Sequence, residues 1–242
     1  MNIVVAGAEG RMGKITARLL REKGETVIPV DVKGTGETLK SVKEVKSADG
    51  IIDFSSPEAA EEILSFAAEV GIPVVIATTG HTEKQKEAIM KASSSVPVSY
   101  SENYSEGFAV FLKAASELSG RLGWDKEIIE YHRKGKKDAP SGSALALFRA
   151  TDNDSRGVLR CGRNGFCPKK EGEIGISSVR IGNTVGRHEI LFDGGKERIV
   201  LIHEALSREV FAEGAIKALF EIMKKPCGLY GNPCVCGSAE EL

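Results

Sequence analysis

Long apolar runs are missing from this chain. No stretch approaches the roughly 18 residues that a bilayer-spanning helix requires, which excludes a helical membrane anchor within the sequence. The residues after Met1-Asn2 pass straight into Ile3-Val4-Val5-Ala6, with neither a basic stretch nor a long apolar segment. No signal peptide is therefore expected, and the expected compartment is the cytoplasm. An excess of one charge is missing too. Lys and Arg number 33 against 34 Asp and Glu, a formal net charge of -1. Such a chain is not a bulk nucleic-acid binder, although a local basic patch stays open. Proline is scarce, at 8 residues beside 27 glycines, in a chain that is 41% hydrophobic and 28% charged. Those proportions exclude disorder, collagen-like repeats and low-complexity architecture. The five cysteines, Cys161, Cys167, Cys227, Cys234 and Cys236, are an odd number, which in the expected compartment argues against a disulfide framework. Cys234 and Cys236 form a tight pair that could chelate a metal or form a redox couple, but the spacing fits no common zinc pattern; the plain reading is free thiols, and no metal is expected.

What is present is an alternation. At 242 residues the chain suits one large domain or two modest ones. Strand signals at Ile3 to Ala6, Thr26 to Val30, Gly50 to Phe54, Pro73 to Thr79 and Pro97 to Tyr100 are separated by helical patterns. Met12, Ile15, Thr16, Leu19 and Leu20 mark one helical face; Ala59, Ala60, Ile63, Leu64 and Ala67 mark another. Ser56-Pro57 reads as a helix start with proline at the first position, and Thr82-Glu83-Lys84-Gln85 as a capping box. Strands divided by helices predict a doubly wound parallel sheet of the Rossmann type. The pattern changes near Tyr104. An apolar helix carrying Phe108, Phe111, Leu112, Ala115 and Leu118 leads to a strand from Glu127 to His132. Strands at Ser177 to Ile181, Glu189 to Phe192 and Arg198 to His203 follow, joined by Gly182-Asn183 and Asp193-Gly194-Gly195 turns. This predicts a second, α+β domain with a mixed or antiparallel sheet. The expected division is residues 1–104 and 105–208, with 209–242 returning to the first domain through a helix from Val210 to Met223. Asp152 to Lys170 reads as a loop.

Three features carry chemistry. The first is Gly7-Ala8-Glu9-Gly10-Arg11-Met12-Gly13, directly after the first strand. Glycines there permit a tight turn and close approach of the backbone to a pyrophosphate, and a helix N-terminus presents N–H groups to it. Asp31 ends the second strand, 18 residues beyond Gly13, where a carboxylate bonds the ribose hydroxyls; Lys33 could instead meet a 2′-phosphate. The spacing is Gly-x-x-Gly-x-x-Gly, so a structural turn is the alternative reading. The second feature is a set of small polar loops, Phe54-Ser55-Ser56, Ala77-Thr78-Thr79-Gly80 and Ser101-Glu102-Asn103-Tyr104. Each alone is an ordinary loop. Together they follow strands whose carboxyl ends would line one crevice.

The third feature is Ile128-Ile129-Glu130-Tyr131-His132 running into Arg133-Lys134-Gly135-Lys136-Lys137 and then Asp138-Ala139-Pro140-Ser141-Gly142-Ser143-Ala144. A histidine and four cations precede a helix start whose N–H and hydroxyl groups can hold an anion. A small dicarboxylate would use both halves. His132 sits at the strand end, an imidazole being the side chain suited to proton transfer near neutrality, and Lys136 is near enough in sequence to reach the same ligand. A solvated basic loop is the plain alternative. Phosphate or RNA binding is a third, weakened because Tyr131 is the one aromatic ring nearby.

Taken together, these motifs resemble the dihydrodipicolinate reductases, also called 4-hydroxy-tetrahydrodipicolinate reductases, of the diaminopimelate route to lysine. The resemblance runs through nearly the whole chain, from the glycine turn through Asp53-Phe54-Ser55-Ser56-Pro57-Glu58 and Ala77-Thr78-Thr79-Gly80 to the specific stretch Glu130 to Ala144. Val179 to His188, Ser207 to Ala215 and Gly228-Leu229-Tyr230 also fit. It implies reduction of a cyclic dicarboxylate imine by NADH or NADPH, with loss of water. It implies His132 and Lys136 as catalytic residues, and Arg133, Ser141, Gly142 and Ser143 as the substrate grip. Cofactor positions fall on Gly7, Gly10, Arg11, Met12, Asp31, Phe54, Ala77, Thr79, Gly80 and Tyr104. It implies a homotetramer assembled through the sheets of the second domain, with no nucleic-acid or membrane partner. Arg133 stands where many members carry a second histidine, and Ser143 where threonine is usual. Another two-domain nicotinamide dehydrogenase and a non-catalytic dinucleotide sensor are the competing readings. A semialdehyde dehydrogenase needs a thiol nucleophile, and no Cys lies between Met1 and Arg160.

Overall fold

The structure, a computed structural model, describes residues 1–232. The Cys234/Cys236 pair lies outside the described residues. In chain order, β1 (Asn2–Ala6), α1 (Arg11–Glu22), β2 (Thr26–Val30), β3 (Gly50–Asp53), α2 (Ala60–Val70), β4 (Val74–Ile76), α3 (Glu83–Ser93) and β5 (Pro97–Tyr100) alternate as the periodicity predicts. There follow α4 (Glu106–Leu122), β6 (Asp125–His132), α5 (Gly142–Thr151), β7 (Val158–Cys161), β8 (Glu173–Arg180), β9 (Gly186–Asp193) and β10 (Arg198–Ala205). The described chain closes with α6 (Glu209–Ile222) and β11 (Gly228–Tyr230). Two compact units emerge: Met1–Glu106 joined by the segment from Arg208 onward, and Gly107–Ser207.

In the first unit six parallel strands run in the order β11-β5-β4-β3-β1-β2. β1 is apolar on both faces because helices cover both. Ile3 and Val5 join Leu19 and Leu20 of α1 and Ala215, Ile216 and Leu219 of α6, while Val4 joins Ile63, Leu64 and Ala67 of α2. Each Val, Leu or Ile among them contributes roughly 1.5–3 kcal/mol when fully buried. The continuous apolar run that results is what a parallel sheet requires.

Several expectations need correction here. β4 is shorter than the predicted Pro73 to Thr79, because the chain leaves the sheet after Ile76 and Ala77 to Gly80 form a loop. Pro57 opens a single 3-10 turn before α2, and Ser56 makes no side-chain cap bond. The Thr82/Gln85 capping box forms as predicted. β11 carries no alternation long enough to mark it, yet it extends the sheet by pairing with β5.

In the second unit five strands run in the order β10-β9-β6-β8-β7. The sheet is mixed: β6 is antiparallel to β9 and parallel to β8. One face packs on α4 and α5 through Phe108, Phe111, Leu147, Ile128, Ile176, Ile190 and Phe192. The region Asp152 to Lys170, expected as loop, contains β7, paired in parallel with β8. All four of its residues are exposed. An edge strand open on both faces has no inward side from which an alternating pattern could arise, so nothing in the sequence announces it.

Candidate active site

In the first unit the parallel strands all end on one edge, which gathers the loops that follow them. Gly7 lies at φ +76°, and a Cβ there would stand 2.6 Å from the Phe54 carbonyl oxygen. A Cβ on Gly13 would stand 2.1 Å from the Gly7 oxygen. Both positions need glycine for the turn to close. Gly10 is the N-cap of α1. It offers no side-chain cap, and no acid occupies the first turn. The leading N–H groups of α1 thus receive no side-chain oxygen from the cap residue, and they carry the partial positive charge of the helix end. That fits the pyrophosphate of a dinucleotide. Asp31 turns toward the same feature, its carboxylate accepting from the Glu9 N–H at 3.1 Å and the Lys33 N–H at 3.0 Å.

The remaining candidates distribute unevenly. Phe54 and Ala77 are half-buried on neighbouring strand ends, joined where the Ala77 N–H donates to the Asp53 carbonyl at 2.9 Å. Arg11, Thr79 and Gly80 are exposed, and Met12 packs partly into the core. Tyr104 lies deeper than these. Its ring is buried, and its hydroxyl lies 3.0 Å from Ser99 Oγ and 3.3 Å from the Ile76 carbonyl. Burial pushes this phenol above its ordinary value, and its ring packs in the core of the first unit. Asp53 was quoted in the sequence but not singled out. It is fully buried, accepts from the Ser55 N–H and hydroxyl and from the Thr78 hydroxyl, and is raised above the ordinary carboxylate value by burial.

In the second unit β6 alternates so that Ile128, Glu130 and His132 face the helices. His132 ends the strand with its Nδ1 3.0 Å from Glu130 Oε2. The chain then bends. Lys136 Nζ sits 2.9 Å from Asp138 Oδ2, and the Arg133 N–H donates to the Thr184 carbonyl at 2.8 Å. Ser141 caps α5 by accepting from the Ala144 N–H at 3.1 Å. Its own N–H donates inward to Glu130 Oε1. Ser141 thus uses its N–H and its hydroxyl within the protein, and Gly142 and Ser143 stand beside it at the helix opening.

Four residues of this cluster went unremarked in the sequence: Glu130, Ser178, Arg180 and His188. Glu130 is wholly buried. Burial raises its carboxyl, but the adjacent His132 and the hydrogen bonds from Ser141, Ser178 and Arg180 outweigh that and hold it well below the usual carboxylate range. His188 is pushed down to about 3 by burial and by the neighbouring His132, and its ring meets that of His132 edge-on at 5.3 Å. Ligand atoms of Glu130, His132 and His188 lie within 4.8 Å of one another. The Arg180 guanidinium, 2.9 Å from Glu130, already supplies the countercharge a metal ion would bring. An inward-facing acid two residues before the histidine was the available signal.

A Rossmann-type sheet with a glycine turn feeding an uncapped helix, joined in one chain to a mixed-sheet unit carrying a histidine–lysine bend, defines the class of two-domain dinucleotide-dependent oxidoreductases. The comparisons with known proteins sharpen this. The family model for the dihydrodipicolinate reductase N-terminus matches residues 1–104, and that for its C-terminus matches residues 107–234. The 4-hydroxy-tetrahydrodipicolinate reductase of Clostridium novyi (strain NT) is 38% identical over 239 residues, covering 94% of this chain and 95% of that protein. That of Rubrobacter xylanophilus is 37% identical over 264 residues, covering 99% of each. The solved structure of a dipicolinate-bound dihydrodipicolinate reductase from Paenisporosarcina sp. TG-14 shares the fold, with a TM-score of 0.73 at 20% identity over 97% of this chain and 98% of that one. The chain belongs to the dihydrodipicolinate reductase family.

Proposed function

We propose that this protein reduces 4-hydroxy-tetrahydrodipicolinate to tetrahydrodipicolinate with release of water, in the biosynthesis of diaminopimelate and lysine. The observation that carries the reading is the juxtaposition of His132, the Lys136 bend and the opening of α5 in one unit of a chain whose other unit has the uncapped glycine turn. When bound, a reduced nicotinamide supplies the hydride. NADH and NADPH both remain candidates, since Asp31 suits ribose hydroxyls and Lys33 suits a 2′-phosphate.

Gly7, Gly10 and the first turn of α1 would hold the pyrophosphate, with Asp31 on the ribose and Phe54, Ala77, Thr79 and Gly80 along the remainder. Arg133 and the α5 opening at Gly142 and Ser143 would hold the two carboxylates. Hydride addition builds negative charge on the substrate ring, and a positioned acid quenches it. Lys136 Nζ is the donor for that purpose, and His132 takes and passes a proton at Nε2. Lys136 Nζ rests on Asp138 at 2.9 Å until the substrate replaces Asp138 as its partner. The reaction is balanced by one proton from the protein and one departing water. We also place the enzyme in the cytoplasm and read it as a homotetramer, a reading supported by the outward Val200 and Ile202 of β10, both exposed; light scattering checks the assembly.

The testing experiment follows nicotinamide absorbance with substrate made in place by the preceding aldolase. The protein consumes the reduced cofactor when the aldolase product is present and does not in its absence. A dinucleotide sensor would bind the cofactor and consume none.

A further inference from the structure

Glu130 is 0% exposed. Its two oxygens divide their work. Oε1 accepts from Ser178 Oγ at 2.6 Å, Arg180 Nη2 at 2.9 Å and the Ser141 N–H at 3.1 Å. Oε2 lies 3.0 Å from His132 Nδ1. One carboxylate therefore links three elements: the end of β6, the strand β8 beside it, and the residue that starts α5. Burying a lone charge is costly, and a buried carboxylate persists where several donors surround it. Here the donors are arranged so that one oxygen is left facing the imidazole.

A carboxylate beside Nδ1 selects the imidazole tautomer that carries its proton there. The other nitrogen, Nε2, is then the one able to take and give a proton. The surroundings of Nε2 agree. Gly186 lies beside it, and a Cβ on that residue would come within 3.2 Å of Nε2. The groups facing His132 from other elements are few. His188 from β9 meets its ring, Arg180 from β8 is already engaged with Glu130, and Lys136 in the bend is paired with Asp138. His203 from β10 is farther off, packed on Phe108 together with His188. Among these, Glu130 alone is an anion within hydrogen-bonding distance of the imidazole.

We propose that Glu130 is a positioning residue: it fixes the proton of His132 on Nδ1, aims Nε2 at the reacting ring, and through the Ser141 N–H ties that imidazole to the helix opening that grips the substrate. Proton donor and anion clamp are thus held by one carboxylate and keep a fixed spacing. This rests on the proposed reduction for its meaning, but its first test needs no turnover.

That test is the ¹⁵N–¹H spectrum of the histidine-labelled full-length protein near neutral pH without substrate. The parent shows His132 as the Nδ1–H tautomer, and Glu130→Gln loses that preference. A parent spectrum showing His132 as the Nε2–H tautomer overturns the proposal whether or not any variant folds. The second test is kinetic. Glu130→Gln lowers kcat by about 10²-fold or more, the scale of positioned acid catalysis, and moves the basic limb of the kcat–pH profile to lower pH. The Kd for the reduced nicotinamide stays at the parent value. A merely structural glutamate would lower the melting temperature and leave the tautomer and the pH limb where they were, and that result would refute the role. If the parent shows the Nδ1–H tautomer yet consumes no cofactor with the aldolase product, the proposed function fails and the positioning stands.

Discussion

The two helix starts of this protein solve opposite problems. α1 begins at Gly10 with no side-chain cap and no acid in its first turn; α5 begins at Ser141, whose hydroxyl caps Ala144 and whose N–H is spent on a buried glutamate. The first is built from backbone and from the absence of side chains. The second is built from ionised side chains whose charges are balanced inside the protein. A backbone site accepts a large, invariant cofactor group and fails when an atom is added. A side-chain site performs proton chemistry and fails when an atom is removed.

That contrast can be broken at several points. The largest effect falls on the second site. His132→Ala and Lys136→Ala each lower kcat by about 10²–10⁴-fold, while calorimetry finds cofactor affinity unchanged. A variant with full turnover would remove its residue from the mechanism. Next comes Gly13→Ala, whose Cβ has the Gly7 oxygen 2.1 Å away. Strain of about 1–3 kcal/mol in the turn weakens cofactor binding about tenfold to hundredfold, read by fluorescence titration. Parental affinity would show that the turn does not form the binding surface.

A smaller effect concerns acid stability. His188 is held down at about 3 in the fold, against an ordinary value of 6.5. Between those values the unfolded chain binds the extra proton, so stability falls as pH drops through that window, by up to about 1.4 kcal/mol per pH unit. His188→Gln flattens the dependence of melting temperature on pH between 6.5 and 4.5. Below 4.5, protonation of Glu130 in the unfolded chain adds a loss that this variant retains. An unchanged slope would show that His188 takes up its proton without unfolding. The smallest effect is at Asp31. Asp31→Ala shifts the ratio of NADH to NADPH affinity toward NADPH by about tenfold or less, because it removes a ribose acceptor and an anion that repels a 2′-phosphate. No change in that ratio would mean that Asp31 only braces the turn through Glu9 and Lys33.

The sequence disclosed these two regions unequally, for physical reasons. The glycine turn is local: Gly7, Gly10 and Gly13 act through backbone geometry and Asp31 ends the next strand, so spacing alone points to them. The helix alternation is equally local, and the sheet of the first unit follows from it. The Glu130 cluster is assembled from β6, β8, β9 and the start of α5. Ser178 and Arg180 lie 48 and 50 residues from Glu130, and no local pattern encodes that meeting. The burial of Tyr104 was hidden for the same reason, since its place beside Ser99 depends on the fold and not on its polar neighbours. β7 escaped because an exposed edge needs no periodicity.

The division of labour between the two starts is tested most directly by titrating pyridine-2,6-dicarboxylate, a flat dianion, onto Arg133→Ala and Gly13→Ala in the calorimeter. The account predicts that Arg133→Ala loses most of its affinity for the dianion while binding reduced nicotinamide like the parent, and that Gly13→Ala does the reverse. Equal loss of both ligands in both variants would contradict it.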